Sequence, residues 1–142
     1  MMSLLAKRFD DAKAGIPIRL FKSHREGIAD GEQKRDFISV DDAIAVVRWL
    51  LATPSVSGIF NVGTGKARSF RDLINAMFAA LGRKPAIEYI EMPNAIRDSY
   101  QYFTQAEVAN LEQAGYNAGF TALEDSVRRY VTQFLDCDDR YR

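Results

Sequence analysis

Few side chains in this sequence offer a chemistry, and the most specific of them is Arg35. A guanidinium can grip phosphate oxygens through two parallel hydrogen bonds, which a lysine ammonium cannot. The competing reading is a surface arginine paired with Asp36 or Asp41. Tyr100 offers a neutral phenol donor on a rigid apolar ring, which suits a ligand wall or a half-buried structural role. Lys7 could serve a phosphate as a point charge, against the plainer reading of a solvent-facing helix lysine. Phe21-Lys22-Ser23-His24 joins a ring able to stack on a base to three polar side chains, with backbone groups available for the base edge. His24 alone would pass as a solvated loop histidine. Gly63-Thr64-Gly65 precedes a capped helix, the setting of a phosphate cradle but equally of a structural turn. Asp41-Asp42 could form a carboxylate pair for acid–base work. Two acids at a helix N-terminus, where the backbone dipole favours negative charge, is the plainer account.

These residues must be held by helices and short strands in alternation. Residues 3–14 read as a helix stopped by Gly15 and Pro17, and residues 18–21 as a strand. Residues 22–34 are polar, contain Gly27 and Gly31, and read as a loop long enough to be functional. Residues 35–40 read as a strand. Asp41 is the expected cap of a helix over 42–52, in which Ile44, Val47, Trp49, Leu50 and Leu51 require burial. Residues 59–62 read as a strand, and Ser69 with Asp72 as the capping box of a helix to about Leu81, closed by Gly82. Residues 86–90 read as a strand ended by Pro93. Thr104 with Glu107 and Thr121 with Glu124 have capping-box spacing, predicting helices over 105–114 and 122–135. Leu123, Val127, Tyr130, Val131 and Phe134 form an apolar stripe at helical spacing, a core face. The fold class is therefore α/β or α+β, with strands so short and scattered that they look like pieces completing a sheet supplied elsewhere.

Composition excludes several functions. The 142 residues fit one domain, and 47% hydrophobic with 27% charged residues is an ordinary globular profile. Nineteen basic residues balance nineteen acidic ones, so nothing favours nucleic acid or an acidic membrane as partner. A single cysteine, Cys137, cannot close an internal disulfide, which points to a reducing compartment and a cytoplasmic location. One histidine and one cysteine argue against a zinc site. No apolar run approaches about twenty residues, and Met1-Met2 leads into a mixed helical pattern rather than a signal peptide's core.

Three segments carry a resemblance. They are Arg35-Asp36-Phe37-Ile38-Ser39-Val40-Asp41-Asp42-Ala43; Gly58-Ile59-Phe60-Asn61-Val62-Gly63-Thr64-Gly65 with the helix from Ser69; and Phe120-Thr121-Ala122-Leu123-Glu124-Asp125-Ser126-Val127. In order and spacing they resemble the C-terminal half of nucleotide-sugar epimerases and dehydratases of the extended short-chain dehydrogenase/reductase superfamily, over roughly residues 18–135. The stretch Ile87-Glu88-Tyr89-Ile90, Met92-Pro93 and then Ser99-Tyr100-Gln101-Tyr102-Phe103-Thr104-Gln105-Ala106, followed by Gly115-Tyr116 and Phe120, is similar to the ADP-heptose 6-epimerase branch. The resemblance implies a Rossmann-type fold whose substrate-binding part is residues 1–142 and whose N-terminal NADP-binding domain is absent from this chain. It also implies an ADP-activated heptose as ligand, NADP as the parent enzyme's cofactor and a homo-oligomeric parent.

The same resemblance assigns roles. Arg35 matches the family's arginine that contacts the nucleotide sugar, and Tyr100 its tyrosine near the diphosphate. Phe21, Lys22, Ser23 and His24 occupy the nucleotide-holding segment, where the family's Phe-Glu-Gly-Ser has become Phe-Lys-Ser-His and the loop before Arg35 is longer. Lys7 stands where the family has a substrate-contacting histidine. Gly63-Thr64-Gly65 becomes a structural turn. The family's glycine-rich cofactor turn is absent, and so is its tyrosine with a lysine four residues on. Tyr89, Tyr100, Tyr102, Tyr116 and Tyr130 are followed at that spacing by Pro93, Thr104, Ala106, Phe120 and Phe134, and Tyr141 runs out of chain. The expectation is a chain that starts after the catalytic region, inactive alone, with Met1 an artificial start. Alternatives are a UDP-hexose epimerase, dehydratase or reductase of the superfamily, and a non-catalytic nucleotide-sugar-binding module.

Overall fold

The computed structural model describes residues 3–137; Met1 lies outside them. Helix α1 (Leu4–Ala14) is capped by the Ser3 hydroxyl, and it ends on Gly15, whose φ of 78° only glycine adopts freely. Strand β1 (Ile18–Phe21) follows. It pairs in parallel with β4 (Ile87–Ile90), Ile18 opposite Ile87 and Phe21 opposite Ile90. Helix α3 (Phe70–Ala80) opens with the capping box expected of Ser69 and Asp72, both reciprocal hydrogen bonds being present. Helix α6 (Leu123–Tyr130) continues as one wide π-helical turn, Val131–Leu135. Its apolar stripe packs on α3, and with α1 and β1 they enclose the main core around Phe9, Ile18, Ile74, Phe78, Val127 and Val131. A smaller cluster gathers Val46 of α2 (Val40–Ala52), Leu111 of α5 (Ala109–Gln113) and Tyr116. Helix α4 (Asn94–Arg97) is a single turn.

Several expectations fail for identifiable reasons. The strand foreseen over residues 35–40 is only β2 (Lys34–Arg35), because its antiparallel partner β3 (Arg68–Ser69) is two residues long. Ser39, not Asp41, caps α2, its hydroxyl accepting from the Asp41 N–H at 3.3 Å. Residues 59–62 form no strand. None pairs its backbone with another described segment, the Asn61 amide alone donating to the Glu107 carbonyl at 3.2 Å, and Ile59 is 95% exposed. Thr104 caps nothing: its N–H donates to the Lys34 carbonyl at 3.2 Å, which keeps this segment extended and delays α5 to Ala109. Thr121 does not cap either. Its N–H and hydroxyl both donate to the Asp42 carboxylate, each at 2.8 Å, and α6 opens without a side-chain cap. The broad apolar face of α2 is buried only in part: Val46 is buried, Trp49 and Leu50 are partly buried against the smaller cluster, and Val40, Ile44, Val47 and Leu51 are exposed.

The Lys34 backbone runs between two neighbours. Its N–H donates to the Tyr102 carbonyl (2.8 Å) on one side, and β3 pairs on the other. That threading sets Arg35 beside the segment carrying Tyr100.

Candidate functional site

Six of the seven residues singled out in the sequence lie in one connected patch. The Arg35 guanidinium sits between two rings, 5.5 Å from the Tyr100 centroid and 5.6 Å from that of Phe70. Tyr100 meets Phe21 edge to face at 5.9 Å and Tyr102 at 5.7 Å. The Tyr102 hydroxyl accepts from the His24 N–H at 3.0 Å, which ties the 21–24 segment to the tyrosines. Lys22 and His24 both reach the Glu91 carboxylate, at 2.8 and 3.3 Å. Lys7 stands apart, exposed on α1 and outside these contacts.

The pairing that would make Arg35 an ordinary surface arginine is not made. Asp36 is committed elsewhere: its carboxylate accepts from the N–H groups of Thr64 (2.8 Å), Gly65 (2.9 Å) and Ala106 (3.1 Å) and from the Thr64 hydroxyl. Asp41 pairs with Arg129 at 3.5 Å. Among the described residues Arg35 has no carboxylate partner, and its only hydrogen bond is to the Lys34 carbonyl. A guanidinium held between rings keeps N–H groups for an anion while the rings limit its motion. Burial pushes the Tyr100 phenol above its ordinary pKa, and neighbouring Tyr102 adds to the shift while the Arg35 cation opposes it. Tyr100 therefore remains a neutral donor at physiological pH.

Asp36 also decides what Gly63-Thr64-Gly65 can do. The N–H groups that would cradle a phosphate already donate to its carboxylate. A Cβ at Gly63 would collide with the Ala106 methyl and come within 2.7 Å of an Asp36 oxygen. The residues present therefore do not fit a dinucleotide's pyrophosphate, and the turn is structural. Asp41 and Asp42 likewise serve the fold, bonding Arg129 and Thr121. The 21–24 backbone offers no free donor at Lys22, Ser23 or His24, whose N–H groups meet Ile90, Asp30 and Tyr102. Those three N–H groups are thus in structural use.

A cleft of about 590 Å³ lies elsewhere, lined by Leu4, Leu5, residues 36–41, Phe70, Leu73 and the α6 face. It is mostly apolar and borders Arg35's surroundings through Asp36 and Phe70. The chemistry suited to an anion sits in the aromatic–arginine patch, which is where the site is assigned. Sequence reasoning missed Tyr102, Glu91 and Arg25 as members of this patch. Alternation of Tyr100 and Tyr102 was the available signal for the first; nothing local announces Glu91.

The fold recurs in solved nucleotide-sugar epimerases, and the NAD dependent epimerase/dehydratase family matches residues 1–63. Over those residues the chain is similar to that family. Over nearly its whole length the chain is 47% identical, across 141 residues, to the ADP-L-glycero-D-manno-heptose-6-epimerase of Nitratidesulfovibrio vulgaris strain DP4, covering 99% of this chain and 44% of that protein. The Fusobacterium nucleatum enzyme of the same name is 39% identical over 147 residues, with 99% and 44% covered. The crystal structure of the Helicobacter pylori ADP-L-glycero-D-manno-heptose-6-epimerase superposes with a TM-score of 0.69 at 26% identity, over 92% of this chain and 37% of that one. The chain thus spans under half the length of the curated relatives it matches. No helix among the described residues is long and apolar enough to cross a membrane.

Proposed function

We propose that this chain supplies the ADP-sugar-binding part of a nucleotide-sugar epimerase acting on ADP-D-glycero- and ADP-L-glycero-D-manno-heptose at C6. The observation that carries this reading is Arg35, without a carboxylate partner among the described residues and set between Tyr100 and Phe70. Relatives named as heptose epimerases give the sugar and the reaction. Epimerisation at C6 is oxidation and re-reduction, with NADP, held outside residues 1–142, supplying the redox chemistry. This chain's residues bind and orient. Arg35 grips the diphosphate, Tyr100 donates to it from a rigid ring, and Phe21 presents an apolar face to the base. Lys22, Ser23 and His24 shape the loop beneath. Lys7 would contribute charge from α1 if the natural protein brings the ligand across that helix. The natural protein is expected to act in the cytoplasm as a homo-oligomer.

The test is a turnover assay of the natural-length protein with ADP-D-glycero-D-manno-heptose, with ADP, UDP and GDP as competitors. Conversion to the L-glycero epimer with preferential inhibition by ADP supports the reading. Preferential inhibition by UDP would assign a UDP-hexose enzyme of the same fold, and ADP binding without turnover a binding module.

A further inference from the structure

The first four residues after β1 have their backbone donors occupied, so an anion there must meet side chains. Lys22 donates through its N–H to the Ile90 carbonyl (2.9 Å), Ser23 to Asp30 (2.7 Å), His24 to the Tyr102 hydroxyl (3.0 Å) and Arg25 to the Ser23 hydroxyl (3.2 Å). The charged side chains then divide. Lys22 and His24 turn to Glu91, which also has Arg97 within 3.9 Å, so both side chains are engaged within the fold. Arg25, the next residue, has no carboxylate partner among the described residues. It lies over the Tyr102 ring, 5.0 Å from its centroid.

Arg35 repeats that arrangement on the neighbouring ring, 5.5 Å from Tyr100, and the two tyrosines pack edge to face at 5.7 Å. Two guanidiniums without counter-charge therefore rest on one aromatic pair, one to each ring. A ring takes the π face of a guanidinium and leaves its N–H edge for a planar, bidentate acceptor. A single arginine leaves part of a diphosphate's charge unanswered; two match it.

We infer that Arg25 is a second anion-binding arginine of this site, acting with Arg35 from the Tyr100–Tyr102 pair on the diphosphate of a nucleoside diphosphate sugar; this rests on the reading that Arg35 binds that ligand. The anion contact of the loop moves from Lys22 and His24, which Glu91 engages, to the residue after them. The sequence motif ending at His24 stops one position short.

The experiment is displacement of a fluorescent ADP analogue from the natural-length protein by ADP and by adenosine, in the unsubstituted protein and in Arg25→Ala, Arg25→Lys, Lys22→Ala and Arg35→Ala. Arg25→Ala is expected to weaken ADP about tenfold, the effect of losing a charge-assisted hydrogen bond, and to leave adenosine unchanged. Arg25→Lys should recover part of the loss, and Lys22→Ala should cost less than about twofold because its charge is already paired. Equal weakening of ADP and adenosine in Arg25→Ala would make Arg25 a loop-ordering residue and overturn the inference. Unchanged ADP affinity in Arg25→Ala, with a loss in Arg35→Ala, would overturn it while leaving the Arg35 reading standing. Unchanged affinity in both variants, or no ADP binding by the unsubstituted protein, would overturn both.

Discussion

The Asp36 carboxylate accepts a hydrogen bond from the N–H of Ala106, 70 positions further along the chain, at 3.1 Å. The same carboxylate holds the turn at Thr64 and Gly65. One side chain thus fixes three segments: the strand that carries Arg35, the glycine turn, and the end of the stretch that carries Tyr100. Asp36→Ala leaves three backbone donors to find new partners, and Asp36→Asn offers an amide where the donors need oxygen. Either substitution should destabilise by about 2–3 kcal/mol and lower Tm by on the order of 5 °C. Thermal unfolding of the natural-length protein checks this. An unchanged Tm would mean that the three segments hold without the carboxylate.

The same knot sets an acid limit. Burial pushes Asp36 upward, but hydrogen bonds from Thr64, Ala106 and Gly65 together outweigh it and hold the carboxyl below its ordinary 3.8. Asp72, also opposed by burial, is held low by Arg68 and by the Ser69 N–H and hydroxyl. A depressed pKa in the fold means that the unfolded chain binds more protons at low pH. The contribution is complete above the unfolded value and disappears as pH falls through the folded one. Stability should therefore be level from neutral pH to about 5 and fall below about 4. Asp36→Asn should flatten that acid slope. Urea unfolding at stepped pH reads it, and an acid slope identical in the variant would remove Asp36 as its source.

What the sequence made legible follows from how local each signal is. The Ser69–Asp72 box and the Gly15 stop rely on neighbours within one turn, and both are built as read. Thr121 with Glu124 has equal spacing, yet Asp42 lies 79 positions away and captures its N–H and hydroxyl, a competition invisible from the motif. Residues 59–62 carry strand-forming side chains, but a strand needs backbone pairing, and none of the described segments provides it. The candidate site divides the same way. Arg35 and Tyr100 stand in motifs particular enough to single them out from the sequence. That Lys22 and His24 are engaged by a carboxylate depends on Glu91, which the pairing of β1 with β4 brings alongside.

Arg35 and Tyr100 should be energetically coupled, since the ring lies beneath the cation proposed to bind the ligand. In the natural-length enzyme Arg35→Ala is expected to raise KM for the ADP-sugar at least tenfold, with a smaller change in kcat. Tyr100→Ala removes both the phenol donor and the ring beneath the guanidinium. In the double variant the losses should fall short of additive by about 0.5–1 kcal/mol, the value of a partly exposed cation–π contact. Steady-state kinetics of the four proteins gives the coupling. Strict additivity would show that Tyr100 meets the ligand independently of Arg35, and an unchanged KM in Arg35→Ala would remove that residue from the site.

Helix α2 turns a stripe of apolar side chains to solvent. Val40, Ile44, Val47 and Leu51 recur at helical spacing, 67, 50, 55 and 77% exposed, while Val46 alone is buried. A stripe of this kind on an isolated chain drives association. The 142-residue chain made by itself should therefore self-associate as its concentration rises. Val47→Gln with Leu51→Gln should reduce the association and shift Tm by no more than about 2 °C, since neither side chain leaves a core. Light scattering over a concentration series reads the first effect and thermal unfolding the second. The sign reverses where a longer natural chain lays its additional portion over α2. There the same pair removes buried apolar surface and should lower Tm by on the order of 5 °C. An α2 pair neutral in both settings would mean that this face is left bare in the natural protein too.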